Sequence, residues 1–179
     1  MSEENNHFAI FAGGCFWCLE PAFDKTAGVL ETIVGYTGGH TKNPTYYSIS
    51  SGKTGHYEAI KVVYDPSKVS FEKLIDVFWK NINPTQADGQ FADRGSQYQT
   101  AVFYSSQAEK EQAETSKKDL EMSGKFNSPI VTKILPRSHF YPAEEEHQDY
   151  YLKQSDHYNR YKEGSGRGPY IREKWQNKK

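Results

Sequence analysis

Long apolar runs are missing from this chain of 179 residues. The longest, Phe8 to Leu19 with its glycines counted, covers twelve residues, well short of the ~20 needed to span a bilayer, so no membrane-crossing segment is expected. An excess of charge of either sign is missing too. With 22 Lys and Arg against 23 Asp and Glu, the formal net charge is −1, which provides no field to hold nucleic acid or an anionic membrane. The polar, acidic start, Met1-Ser2-Glu3-Glu4-Asn5-Asn6, has neither the positive nor the apolar region of a secretory signal, and a cytoplasmic protein is expected. Cysteine is scarce. A structural zinc site wants about four ligands, so Cys15 and Cys18 would have to recruit two of the six histidines. Their spacings, eight from His139 to His147 and ten from His147 to His157, are not those of ligand pairs, and no metal is expected. Leu, Ile, Val and Phe sum to only 33 residues, a share that accompanies disorder when net charge is high, a condition not met here. Aromatic residues fill the gap: 13 Tyr, 10 Phe and 3 Trp must supply much of the core.

The length leaves room for one domain, read as a single catalytic unit over 1–179 with a core at about 7–155. His7 to Ala12 reads as a strand, broken by Gly13-Gly14, and Phe16, Leu19 and Phe23 follow at helical spacing. Pro21 fits best in the first turn of that helix, which places its regular start near Trp17 or Cys18, and Gly28 ends it. Val29 to Tyr36 and Tyr57 to Tyr64 read as strands separated by a polar loop of about twenty residues, a length usually kept for function. Ser70 caps a helix carrying Phe71, Leu74, Ile75 and Phe78. A strand at about Gln99 to Ser105 leads into a helix opened by the capping box Ser106-Gln107-Ala108-Glu109 and closed by Gly124. Ile130 to Leu135 is expected as a fifth strand and Ala143 to Lys153 as a short acidic helix. The tail, about 160–179, holds seven Lys or Arg against two Glu and reads as solvated. The β-α-β-β-α-β order points to an α+β, two-layer sandwich: a mixed sheet with a ferredoxin-like (split βαβ) core, an added helix and strand, and long loops.

Chemistry concentrates at Cys15-Phe16-Trp17-Cys18. Cys15 follows a strand and a Gly-Gly turn at a helix mouth, where unpaired N–H groups and the helix dipole favour an anion, so a lowered pKa and a nucleophilic thiolate are expected. Cys18 lies three residues on, on the same helix face, close enough to form a disulfide with little chain movement. Two inert buried thiols remain the alternative. Phe16 and Trp17 either pack the core or wall a pocket for a small apolar group. On the third strand the period of two puts Glu58 on one face with Ile60, Val62 and Tyr64. There it is either a frayed strand end in water or a desolvated carboxyl whose raised pKa lets it give a proton near neutral pH. Tyr46, Tyr47, Tyr98 and Asp93 lie in the irregular stretches flanking that strand.

Taken together, Gly14-Cys15-Phe16-Trp17, Gly35-Tyr36-Thr37-Gly38-Gly39, Asn43-Pro44-Thr45-Tyr46, Gly55-His56-Tyr57-Glu58, Asp93-Arg94-Gly95-Ser96-Gln97-Tyr98 and the Ala143 to Tyr150 segment with His147-Gln148 closely resemble the A-type peptide methionine sulfoxide reductases, specific for the S epimer. The likeness runs in order over about residues 7–152. It implies Cys15 as attacking thiolate, Phe16 and Trp17 as walls for the substrate methyl, Glu58 as acid, Tyr46 and Tyr98 as donors to the sulfoxide oxygen, and Asp93 in support. Many family members carry a resolving cysteine in the tail, which this one lacks. Other members have Cys where Cys18 stands, so the resemblance implies a Cys15–Cys18 disulfide reduced by thioredoxin. Asp93-Arg94-Gly95 stands where the family often shows Asn-Asp-Gly. Expected partners are oxidised proteins, free methionine sulfoxide and thioredoxin, with no organic cofactor and a monomeric state. The rival is a thioredoxin-like thiol-disulfide oxidoreductase, for which Cys-x-x-Cys at a helix start is also the motif.

Overall fold

The computed structural model describes residues 7–176; the expected absence of a signal in Met1 to Asn6 and the last residues of the basic tail lie outside them. β1 (His7–Gly13) is buried along both faces, and α1 (Phe16–Asp24), β2 (Val29–Thr37), α2 (Tyr46–Ser50), β3 (Tyr57–Tyr64) and α3 (Phe71–Trp79) follow. A ribbon of β4 (Gly89–Gln90) and β5 (Asp93–Arg94) precedes β6 (Thr100–Tyr104), α4 (Gln107–Met122), β7 (Lys133–Pro136) and β8 (Tyr141–Pro142), and the chain closes with α5 (Tyr150–Lys153), α6 (Ser155–Gly164) and α7 (Arg167–Ile171). The main sheet has the order β7-β6-β1-β3-β2-β8. Only β6 and β7 pair in parallel, so the sheet is mixed. Its centre, β6-β1-β3-β2 with α1 and α3, is the split βαβ layer expected from the element order. No helix among the described residues is long and apolar enough to cross a membrane.

The helical face buries the larger core. Phe11 of β1 stacks on Phe23 of α1 at 5.3 Å and on Phe78 of α3 at 5.1 Å, so aromatic pairs do the work that scarce leucine does elsewhere. On the opposite face a smaller cluster, Ile10, Ala12, Tyr57, Ala59, Ala101 and Phe103, has Phe8 at its margin beneath Lys61 and Arg137, each 4.3 Å from the ring centroid. Long cationic side chains cover this face with their stems, and a second helical layer is not needed there.

Four local expectations are corrected. The first helix begins at Phe16, and Pro21 is its sixth residue, not a first-turn residue; the helix tolerates the lost bond because tertiary contacts fix its start. The strand expected at Ile130 is confined to Lys133–Pro136, since β6 supplies partners only for Lys133 onward and Val131 N–H instead donates to the Pro84 carbonyl at 2.8 Å. The acidic helix expected over Ala143 to Lys153 is a short 3₁₀ turn, Glu145–His147, and a single helical turn, α5. Asp149, at φ 53, breaks it. The basic tail is not a solvated strand of chain over its described part: it forms α6 and α7 and folds back onto the end of β1, where Arg167 is 1% exposed.

Candidate active site

Gly14 turns the chain after β1 at φ 82. A Cβ there would stand 2.5 Å from Gln90 Cβ and 2.8 Å from Arg167 Nη2, so both the conformation and the space require glycine. The turn delivers Cys15 to the N-cap position of α1. Because β3 runs antiparallel to β1, with Phe11 opposite Ile60, the start of β3 lies beside the end of β1 and Glu58 reaches the helix mouth. Phe16 N–H donates to Glu58 Oε1 at 3.2 Å, and Cys18 N–H donates to the Cys15 carbonyl at 3.1 Å.

Glu58 is 2% exposed, which removes the frayed-strand reading. Burial pushes its carboxyl up to about 8 against the opposing pull of the Phe16 N–H, with the Asp93 and Cys18 charges adding to the rise. Near neutral pH this carboxyl therefore holds its proton. The thiols differ from expectation. Burial, the hydrogen bond to Cys18 and the nearby Cys18, Glu58 and Asp93 charges hold Cys15 well above the ordinary thiol value. The lowered pKa falls on Cys18 instead, at about 7, chiefly because Cys15 donates to it, with Arg167 and Lys162 contributing their positive charge. At Cys15 burial opposes the anion that a helix mouth favours, and Glu58 takes the first amide.

Thr45 caps α2 through a capping box, and Glu144 fixes that helix by accepting from Tyr46 N–H at 3.0 Å and from the Tyr36 hydroxyl at 2.9 Å. Tyr46 and Tyr98 both have raised pKa values, from burial first and then from the Glu58 charge, with Cys15 and Asp93 also felt. The two loops thus bring both phenols, protonated, around Glu58 and Cys15. Tyr47 is 90% exposed and takes no part. Trp17 remains partly exposed and stacks on Tyr150 with centroids 3.9 Å apart. Phe16, expected beside it as a wall, has no exposed surface; it sits in the main core against Tyr36 and His147. Both rings lie against the same His147, Phe16 at 5.6 Å and Trp17 at 5.9 Å.

Several residues of the site carried no role in the sequence reading. His147 is buried, accepts from Trp17 Nε1 at 3.2 Å and lies 4.3 Å from the Tyr46 ring. Glu144, Glu146 and His147 bring ligating atoms within 4.8 Å of one another, but Glu144 is engaged by Tyr36 and Tyr46 and His147 by Trp17, so these side chains serve the aromatic shell. Asp93 accepts from the Tyr161 hydroxyl, and Tyr158 is buried against the two cysteines. Arg167 donates to the Gly13 carbonyl at 2.9 Å and the Asn81 carbonyl at 2.8 Å. His147 stood inside a recognised segment, but nothing in a tail of seven basic residues distinguished Arg167.

The family model for peptide methionine sulfoxide reductase matches residues 7–179. The chain belongs to the peptide methionine sulfoxide reductases. Peptide methionine sulfoxide reductase MsrA of Bacillus velezensis is 50% identical over 175 residues, 98% of this chain and 99% of that one. Among solved structures, methionine sulfoxide reductase A of Corynebacterium diphtheriae is 34% identical with a TM-score of 0.76, covering 86% of this chain and 77% of its own. Mxr1 from Saccharomyces cerevisiae in reduced form is 28% identical with a TM-score of 0.80 over 86% and 88%. The reductase family, together with the split βαβ sheet, sets aside the thioredoxin-like rival. It makes this protein an oxidoreductase acting on methionine sulfoxide.

Proposed function

We propose that the chain is a single catalytic unit, working in the cytoplasm, that reduces the S epimer of methionine sulfoxide, peptide-bound and free, through a Cys15 sulfenic acid and a Cys15–Cys18 disulfide recycled by thioredoxin. One observation carries this reading: a buried, protonated Glu58 tied to the Phe16 amide beside a hydrogen-bonded thiol pair. Cys18 takes the proton that it already shares with Cys15. The Cys15 sulfur attacks the sulfoxide sulfur while Glu58 gives its proton to the oxygen, and Tyr46 and Tyr98 donate to the charge developing there. The hydroxyl passes from the methionine sulfur to the Cys15 sulfur as the bonds from the methionine sulfur to oxygen and to Cys15 break, methionine leaves as the thioether, and Glu58 regains a proton from Cys18, so one thiol and one sulfoxide become one sulfenic acid and one thioether. Cys18 then attacks Cys15, and water departs as the disulfide forms.

Trp17 forms the wall for the methyl group, Phe16 backs it from the core, and Asp93 supports the site through Tyr161. Mxr1 has been solved in complex with Trx2; for this chain the thioredoxin step rests on the paired cysteines. A chiral sulfur with its methyl against Trp17 and its oxygen toward Glu58 cannot be exchanged for its mirror image without misplacing a group. The test is racemic methyl p-tolyl sulfoxide with dithiothreitol, followed by chiral chromatography. Loss of one epimer and a halt at about half consumption is expected, as stereospecific binding demands; equal loss of both epimers refutes the proposal.

A further inference from the structure

A groove of about 300 Å³ opens beside Cys18 and does not reach Cys15. Its floor is the α1 face that continues from Cys18 through Pro21 and Ala22, away from Cys15, and Val77 of α3 forms part of its side. Three cations converge on it from three helices: Lys25 just past α1, Lys80 just past α3 and Lys162 of α6. Lys80 pairs with Asp76 at 2.9 Å, whereas among the described residues Lys25 and Lys162 make no ion pair. Lys162 is half-buried, and desolvation pulls its pKa down. Unpaired ammonium groups held together around a concave surface repel one another, an arrangement favourable only when an anion fills it. The volume suits a small ligand and not a protein surface.

We propose that this groove is a binding site for a low-molecular-weight anionic thiol that reduces the Cys15–Cys18 disulfide by attack at the Cys18 sulfur. The proposal rests on the reading of Cys18 as the resolving thiol. The groove is lined by Cys18 and not by Cys15, so a thiolate bound in it meets the Cys18 sulfur first. Its sulfur bonds to Cys18 as the S–S bond breaks, and Cys15 leaves with the electron pair and takes up a proton, which restores the thiol for the next cycle. A second thiolate attacks the mixed disulfide at the sulfur of the first, releasing the small-molecule disulfide and Cys18 thiolate. The carboxylates of the thiol meet Lys25 and Lys162, which supply selectivity that thiol–disulfide exchange lacks by itself.

The experiment starts from the full chain oxidised by one equivalent of sulfoxide. Reduction of its disulfide is followed with mercaptosuccinate, thioglycolate, 2-mercaptoethanol and cysteamine, each rate being corrected for the thiolate fraction and basicity of that thiol. At low salt the dianionic thiol should react at least about tenfold faster than the neutral one, the scale of electrostatic focusing in charged clefts, and the cationic thiol should react slowest. Raising the ionic strength to ~1 M, where the screening length is about 3 Å, should collapse the order. In Lys25→Glu/Lys162→Glu the order should invert, and Lys25→Gln should weaken it with little risk to folding. Rates that follow thiol basicity alone, with no response to thiol charge, salt or these substitutions, overturn the groove proposal while leaving the reductase reading intact. Methionine release without any disulfide overturns the Cys18 reading on which it stands.

Discussion

Cys15 and Cys18 lie one helical turn apart, yet the groups around them come from opposite ends of the chain. Cys15 faces the elements before β6: Glu58 from β3, Tyr46 from the start of α2, and Asp93 and Tyr98 from the stretch after α3. These neighbours are acids and phenols, and after burial they add to the rise in the Cys15 pKa. Cys18 faces the folded-back tail, with Tyr158, Lys162 and Arg167, and the two cations favour its thiolate. In the mechanism proposed above, one side of the helix delivers protons to an oxygen and the other holds the resolving thiol. A Cys-x-x-Cys motif acquires two chemistries because tertiary surroundings differ over the length of one turn.

The comparison is broken most completely at Cys15. Cys15→Ser should abolish sulfoxide reduction with any reductant, and turnover above background in the folded variant removes it from the role of nucleophile. Cys18→Ser should still release one methionine per enzyme without reductant, leaving a sulfenic acid that dimedone traps. Thioredoxin-driven turnover should be lost and dithiothreitol-driven turnover kept, because a small thiol reduces the sulfenic acid directly. Normal turnover with thioredoxin would mean that the two sides of the helix are not divided as described.

Glu58→Gln should slow the single-turnover release of methionine by about 10²–10⁴, the usual share of a general acid. With Glu58 as the acid in its protonated form and its pKa raised to about 8, the release rate should fall as pH rises through about 8. The variant should lose that alkaline limb, and an unchanged limb would assign the titration to another group. The sign for stability follows from the same shift. The folded state holds the Glu58 proton more tightly than the unfolded chain does, so stability is fully present below the ordinary carboxylate range and declines as pH rises toward about 8.

The smallest expected effects concern the tail. Arg167→Met leaves the Gly13 and Asn81 carbonyls without their donor and should lower stability by about 2–4 kcal/mol, as expected for two buried acceptors left unsatisfied. It should also raise the Cys18 pKa, read from thiolate absorbance against pH, while Lys at this position keeps the charge and restores part of the shift. A variant that loses stability with no movement of the Cys18 titration would confine Arg167 to packing. Glu20, buried and raised to about 8 by burial and by Asp149 and Asp24, gives a control on the same helix whose carboxyl is engaged by Asp149 N–H and the Thr32 hydroxyl. Glu20→Gln should narrow the difference in melting temperature between pH 5 and pH 9 without altering the alkaline limb of catalysis.

The order of elements, the turn that delivers Cys15 and the sharing of a face by Glu58 and Ile60 were legible in the sequence because each depends on local period or spacing, which neighbouring residues set. The places where the reading missed were those where local signals compete with distant ones. Pro21 suggested a later helix start, but Glu58, 42 residues from Phe16, anchors the first amide and fixes the start there. Helix-mouth geometry suggested an acidic Cys15, but burial, the hydrogen bond to Cys18 and nearby carboxyls raise its pKa. The basic tail suggested solvent, yet Arg167 closes the turn at Gly13 from 154 residues away. The sequence by itself determined the turn that delivers Cys15 and the strand face that carries Glu58, because both depend on local period and spacing. Only the tertiary structure decided what surrounds the two thiols and Glu58, because desolvation and Coulomb interactions act across space and depend on what the whole fold brings within a few ångströms.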